Sequence, residues 1–190
     1  MSRNARNAKK KYREKFGIRI PRNVREALLF DKMNGDSKWA EAIKKEMDAL
    51  ARLHCFKFMP PNHKLNKSDG WQFAPLHMIF EIKQQDLRHK ARFVVGGHVV
   101  DASQYVTYSS TIQNISVRLL MLVAVQNGLD LMAGDIGNAF PTAPCTEKVW
   151  SVAGPEFGDR QGSVVILQRA LYGLKTSSRA FHEFLADLLR

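Results

Sequence analysis

The chain has 190 residues, 45% hydrophobic and 25% charged, with a formal net charge of +11. That length carries one domain or two small ones and enough apolar material for a core. No apolar run approaches a membrane span, no hydrophobic stretch follows the basic N-terminus as a secretory signal would need, and the two cysteines, Cys55 and Cys145, form no CxxC pair.

Two separated thiols and scattered histidines give no zinc spacing and fit a reducing compartment. The expected location is intracellular, in cytoplasm or nucleus. Charge is uneven along the chain. Residues 1–25 hold ten Lys or Arg (Arg3, Arg6, Lys9, Lys10, Lys11, Arg13, Lys15, Arg19, Arg22 and Arg25) against Glu14 alone. Such a stretch fits a polyanion partner, most simply nucleic acid, and equally a solvated leader with no specific partner. Residues 1–20 are low in apolar content and are expected to be a disordered basic arm. Residues 21–190 form the expected domain.

Pro21 suits a first helical turn, and 23–33 follow as a short helix that Asn34-Gly35 breaks. Asp36 or Ser37 is expected to cap a second helix from Lys38 to about Leu53. Trp39, Ile43, Met47 and Leu50 recur there at steps of four and three, which makes one buried stripe. Cys55 to Met59 reads as a strand ended by Pro60-Pro61. In 76–84, Met78, Phe80 and Ile82 alternate with Ile79, Glu81 and Lys83, and this strand is expected to pair with 90–96 as a hairpin.

Ser116 to Gln126 is helical by pattern, with Val117, Leu120, Met121 and Ala124 on one face and Gly128 closing it. Leu129 to Ile136 is expected to be a strand, as are 149–152 and 164–168. A last helix opens at Ser177 or Ser178, with Phe181, Phe184, Leu185 and Leu188 on its apolar face. These elements imply an α+β fold, an antiparallel or mixed sheet with helices packed on one face.

Asp135 ends the apolar 129–136 stretch and precedes Ile136-Gly-Asn-Ala-Phe140. A carboxylate at the tip of a buried strand needs a cation. A metal held together with substrate phosphates is the usual one. Two-metal sites need a second carboxylate beside the first, and only the first is recognisable here. Lys90 and Arg92 alternate with Ala91, so both point to one face of the hairpin. Such a face is either a phosphate clamp or a solvated basic surface.

Seven blocks, in order, resemble the reverse transcriptase domain of Ty1/copia-type retrotransposons. They are Trp39-Ala-Glu-Ala-Ile-Lys-Lys-Glu46, His77-Met-Ile-Phe-Glu-Ile-Lys83, Lys90-Ala-Arg-Phe-Val-Val-Gly-Gly97, Ser116-Val-Arg118, Asp135-Ile-Gly-Asn-Ala-Phe140, Gly154-Pro-Glu-Phe157 and Arg169-Ala-Leu-Tyr-Gly-Leu-Lys175. Together they span about residues 18–190.

The resemblance implies fingers and part of a palm, copying an RNA or DNA template-primer from deoxynucleoside triphosphates (dNTPs). It implies Mg²⁺ on Asp135, and Arg92 and Lys90 on the triphosphate. Asn138 and Ala139 would present backbone N–H groups to that triphosphate, and Phe140 would crowd the sugar 2′ position. Tyr172, Gly173 and Lys175 would lie by the template, and the remainder of a retrotransposon polyprotein would be a partner, with no membrane involved. The family continues Gln-Ser-Pro-Arg after this last block, where this chain has Thr176-Ser177-Ser178-Arg179. Its second acidic motif, an aromatic-x-Asp-Asp turn, is expected beyond the last helix. The domain is therefore expected to be truncated before that motif and the isolated chain inactive. The rival expectations are a nucleic-acid-binding module without catalysis and a non-functional remnant.

Overall fold

A computed structural model describes residues 13–190. The expected disordered arm is corrected at its C-terminal end, and residues 1–12 of it lie outside the described residues. Strands β1 (Arg13–Lys15) and β2 (Ile18–Ile20) pair antiparallel, with Arg13 opposite Ile20. The turn between them is Phe16-Gly17, with φ of 54° and 75°. Positive φ at both central residues is the hairpin turn that matches strand twist. Arm composition hid this turn because the flanking strands are short and basic.

Helix α1 runs Val24–Asn34. Pro21 lies before it, and Asn23 is its cap, accepting from the Glu26 N–H at 2.9 Å. Gly35, at φ 68°, ends it in the left-handed region where a side chain would be strained. Helix α2 covers Lys38–Arg52 and buries Trp39, Ile43 and Leu50 as the stripe predicts. Its capping differs from expectation. The Ser37 hydroxyl donates to Glu41 instead, and the cap comes from the preceding helix. Buried Asp31 accepts from the N–H groups of Trp39 and Ala40 at 3.1 and 2.8 Å. One carboxylate thus satisfies two orphan donors and fixes the angle between the helices.

Strand β3 (Phe56–Met59) pairs with β8 (Val164–Leu167), β8 with β7 (Val149–Val152), and β7 in parallel with the short β4 (Gln72–Phe73). This four-stranded sheet is mixed. Strands β5 (Leu76–Ile82) and β6 (His89–Val95) form the expected hairpin, in the register Leu76–Val95 to Ile82–His89. Its Met78, Phe80, Ile82, Ala91 and Phe93 enter one core with Trp39 and Leu50 of α2. Trp39 meets Phe80 edge-on at 5.4 Å between ring centroids. Phe93, Phe56 and Phe157 close the same core through edge contacts of 5.2–5.7 Å. The α+β class holds.

The middle of the chain departs from expectation. Helix α3 (Asn114–Gln126) forms, but of its predicted apolar face only Ala124 is buried. Leu120 and Met121 are more than half exposed. Residues 129–136 form no strand and are exposed throughout. A strand needs a neighbouring edge, and none of the described strands pairs with this segment. Periodicity reports what a segment is able to bury, and it does not supply the surface that buries it.

A short helix α4 (Ala139–Thr142) follows. Helix α5 (Ser177–Leu188) packs against it, with Phe140 and Phe181 beside buried Ala143, Ala170 and Ala180. No described helix is long and apolar enough to cross a membrane.

Candidate nucleotide-facing site

Three separated stretches of chain meet beside β6. Arg92 is on β6, opposite Ile79 of β5, and so on the face away from the core. Its guanidinium carbon lies 4.8 Å from the centre of the Tyr172 ring. Phe140, on α4, lies 4.9 Å from the same ring on a tilt of 43°. The result is one cation and two aromatic rings, held by a hairpin, a short helix and a loop.

Backbone contacts hold the Tyr172 loop against β6. The Val95 N–H donates to the Tyr172 carbonyl at 2.8 Å. Gly173 follows at φ 101°, where a Cβ would collide with the Val95 carbonyl, and a Cβ on Gly97 would collide with the Gly173 carbonyl. Two glycines therefore permit this docking, and no larger residue fits either position. The close approach expected of Gly173 is made to its own chain.

Lys175 donates to the Val100 carbonyl at 3.0 Å, which ties the loop to the turn after β6. Thr176 and Ser177 are buried, and the Ser177 hydroxyl donates to the Leu171 carbonyl at 2.6 Å. They act as internal fasteners. Ser177 holds the position of the family's own Ser, and Ser178, in place of the family's Pro, lies in the first turn of α5.

Lys90 and Asn138 line a separate cleft of about 200 Å³ between α2 and β6. Lys45 and Arg88 line it too. Lys45 belongs to the Trp39–Glu46 block but had no role assigned there, and Arg88, in a polar turn, carries no motif. Burial lowers the pKa of Lys90, and Arg92 beside it adds to that. Asn138 has φ 54°, the left-handed conformation, as the chain turns into α4. Ala139 accepts from the Thr142 hydroxyl at 2.6 Å through its carbonyl.

Asp135 stands apart from this assembly. It is exposed on the 129–136 segment, and no ion pair or hydrogen bond reaches it among the described residues. Among those residues no three His, Cys, Asp or Glu side chains gather where a metal could be held. The donor set present thus does not fit a divalent cation, since one exposed carboxylate leaves most of the coordination shell to water. The expected place of Asp135 at a strand end is corrected, because residues 129–136 lack a pairing edge.

Two thiols lie on either side of Gln168, whose N–H donates to the Cys55 carbonyl and whose carbonyl accepts from the Cys145 N–H. Burial pushes both up to about 12, so neither is a nucleophile at neutral pH.

Comparison with known proteins gives the family of the chain. Residues 64–190 match the family model described as "Reverse transcriptase (RNA-dependent DNA polymerase)". The chain is 30% identical over 162 residues to the "Retrovirus-related Pol polyprotein from transposon RE1" of Arabidopsis thaliana, covering 81% of this chain and 11% of that protein. It is 30% identical over 155 residues to the corresponding RE2 polyprotein of the same plant, covering 77% and 10%. A "Truncated transposon Ty1-A Gag-Pol polyprotein" of Saccharomyces cerevisiae is 26% identical over 175 residues, covering 90% and 14%. The chain thus spans about a tenth of the length of these relatives. No solved structure matches it.

Proposed function

We propose a nucleotide-handling role from one premise: this chain belongs to the reverse transcriptase (RNA-dependent DNA polymerase) family. It is a Ty1/copia-type domain portion, and its part in template-directed DNA synthesis is to receive the dNTP and the template. Arg92 clamps triphosphate oxygens through paired N–H donors. Lys90, with Asn138 across the cleft, adds a point charge. Phe140 lies against the sugar edge and rejects a 2′ hydroxyl by steric clash. Tyr172, Gly173 and Lys175 shape the floor beneath the template base. The single observation that carries this reading is the meeting of Arg92, Phe140 and Tyr172, which come from three of the family-like blocks.

Divalent metal is the family's usual cofactor. The described residues do not assemble a site for it. The basic stretch of residues 1–25 and the Lys45–Arg88–Lys90 cleft favour a second reading, non-specific nucleic-acid binding without catalysis.

A fluorescent dATP analogue titrated into the full chain separates the two readings. Binding should weaken about tenfold in Arg92→Ala, a loss of about 1.4 kcal/mol. In Phe140→Ala, ATP should compete nearly as well as dATP. Equal dATP binding by wild type and Arg92→Ala would overturn the clamp.

A further inference from the structure

Among the described residues β6 pairs with β5 alone, so its outer edge faces no third described strand. N–H groups on such an edge need other partners. Two of them find one. The Val95 N–H is met by the Tyr172 carbonyl at 2.8 Å. The Phe93 N–H is met by the Glu46 side chain, reaching from α2, at 2.9 Å. Arg92 immediately precedes Phe93, the residue Glu46 anchors, and its guanidinium lies over the ring of Tyr172, which anchors Val95.

We propose that Glu46 is a positioning residue, whose carboxylate pins the outer edge of β6 to α2 and so fixes where Arg92 presents its guanidinium beside Tyr172 and Phe140. A carboxylate receiving a backbone N–H makes a charge-assisted bond, about twice as strong as a neutral one. Burial opposes the charge and raises the Glu46 pKa, while the Phe93 N–H, Lys90 and Arg92 pull it back. The same acid is held close to two cations that an anion would seek. If it were only a counter-charge, removing it would free those cations and tighten anion binding. If it positions Arg92, removing it loosens the strand and weakens anion binding. The two roles predict opposite signs.

The functional consequence rests on the triphosphate reading of Arg92, and the geometry does not. The test uses the full chain, labelled for NMR, with inorganic triphosphate as probe. In Glu46→Ala, the Phe93 amide should exchange with solvent at least tenfold faster. The Arg92 side-chain N–H resonance should lose the ring-current shift imposed by Tyr172. Triphosphate affinity should fall at least fivefold, although a negative charge has been removed. Glu46→Gln, which keeps an acceptor and drops the charge, should recover Phe93 protection and the Arg92 shift.

Should Glu46→Ala fail to fold, Glu46→Met fills the same volume without an acceptor and carries the same expectation. Unchanged Phe93 exchange and an unchanged Arg92 resonance in these variants would overturn the proposal, as would tighter triphosphate binding. If wild type and Arg92→Ala bind triphosphate alike, the clamp reading fails. The two NMR readouts then still decide the role of Glu46.

Discussion

The Arg92 guanidinium lies 4.8 Å from the centre of the Tyr172 ring, joining the hairpin to the Tyr-Gly-Leu-Lys loop through a contact neither makes with its own sequence neighbours. A planar guanidinium stacks on a ring in a way an ammonium does not. The pair should show a coupling energy of about 0.5–1 kcal/mol in a double-mutant cycle of Arg92→Ala and Tyr172→Ala, read by chemical denaturation. Arg92→Lys should lose most of it. Additive single-mutant effects would mean that the two groups are merely neighbours.

Gly173→Ala is the sharpest probe of the docking itself. Its φ of 101° is unfavourable for any side chain, and the new methyl would meet the Val95 carbonyl. Both effects act on the folded state, at a cost of about 1–3 kcal/mol. The expected result is a melting temperature several degrees lower and faster exchange of the Val95 amide. Gly17→Ala serves as control, since it has positive φ and open space around it. It should cost less.

Asp31 acts between helices. Asp31→Ala leaves the Trp39 and Ala40 N–H groups without their acceptor near a buried ring. Loss of a capping acceptor costs about 0.5–2 kcal/mol, and this one serves two donors, so the upper end is expected. Asp31→Asn keeps one acceptor oxygen and should recover about half. Thermal melts of the two variants would show it.

The basic N-terminal stretch gives a prediction in salt. Deleting residues 1–12 removes Arg3, Arg6, Lys9, Lys10 and Lys11 and leaves the β1–β2 hairpin whole. Single-strand binding carries a log–log salt slope of about −0.7 per phosphate contact. The deletion should make that slope shallower by up to about 3.5 if each of these cations meets a phosphate. An unchanged slope would show that the stretch does not touch nucleic acid.

These expectations draw unequally on sequence and structure. The Trp39–Leu50 stripe and the alternation of Met78, Phe80 and Ile82 were legible because burial imposes a period on the residues that meet it. The family resemblance singled out Arg92, Phe140 and Tyr172, and folding brought them together. Asp31 and Glu46 were not legible as fasteners. A side chain that accepts a backbone N–H from another element leaves no period and no motif. Residues 129–136 failed for the opposite reason. Their pattern suits a buried strand, but strand formation depends on a partner edge that no local pattern encodes.

Glu147 supplies a prediction in pH. It is only 3% exposed, and neither carboxylate oxygen has a hydrogen-bond partner among the described residues. Burial raises its pKa above the ordinary 4.5 and prevails over the lowering by Thr176 and Lys175. A carboxyl whose pKa is higher folded than unfolded favours the folded state fully only below the unfolded value, and that advantage is lost as pH rises through the folded value. At neutral pH and above, the ionised group is therefore a liability. Glu147→Gln keeps the shape and removes the charge. It should stabilise the chain by about 1 kcal/mol at pH 8, given that an unsatisfied buried polar group costs about 1–3 kcal/mol. For a chain of this size that is about 2–4 °C in melting temperature. Below pH 4 both side chains are neutral in both states, and the two melting curves should converge. Glu46 and Glu156 are shifted in the same direction, but they are common to both proteins and cancel in the difference. A gap between the curves that stays constant from pH 4 to pH 8 would mean that packing, and not the buried charge, sets the effect of Glu147.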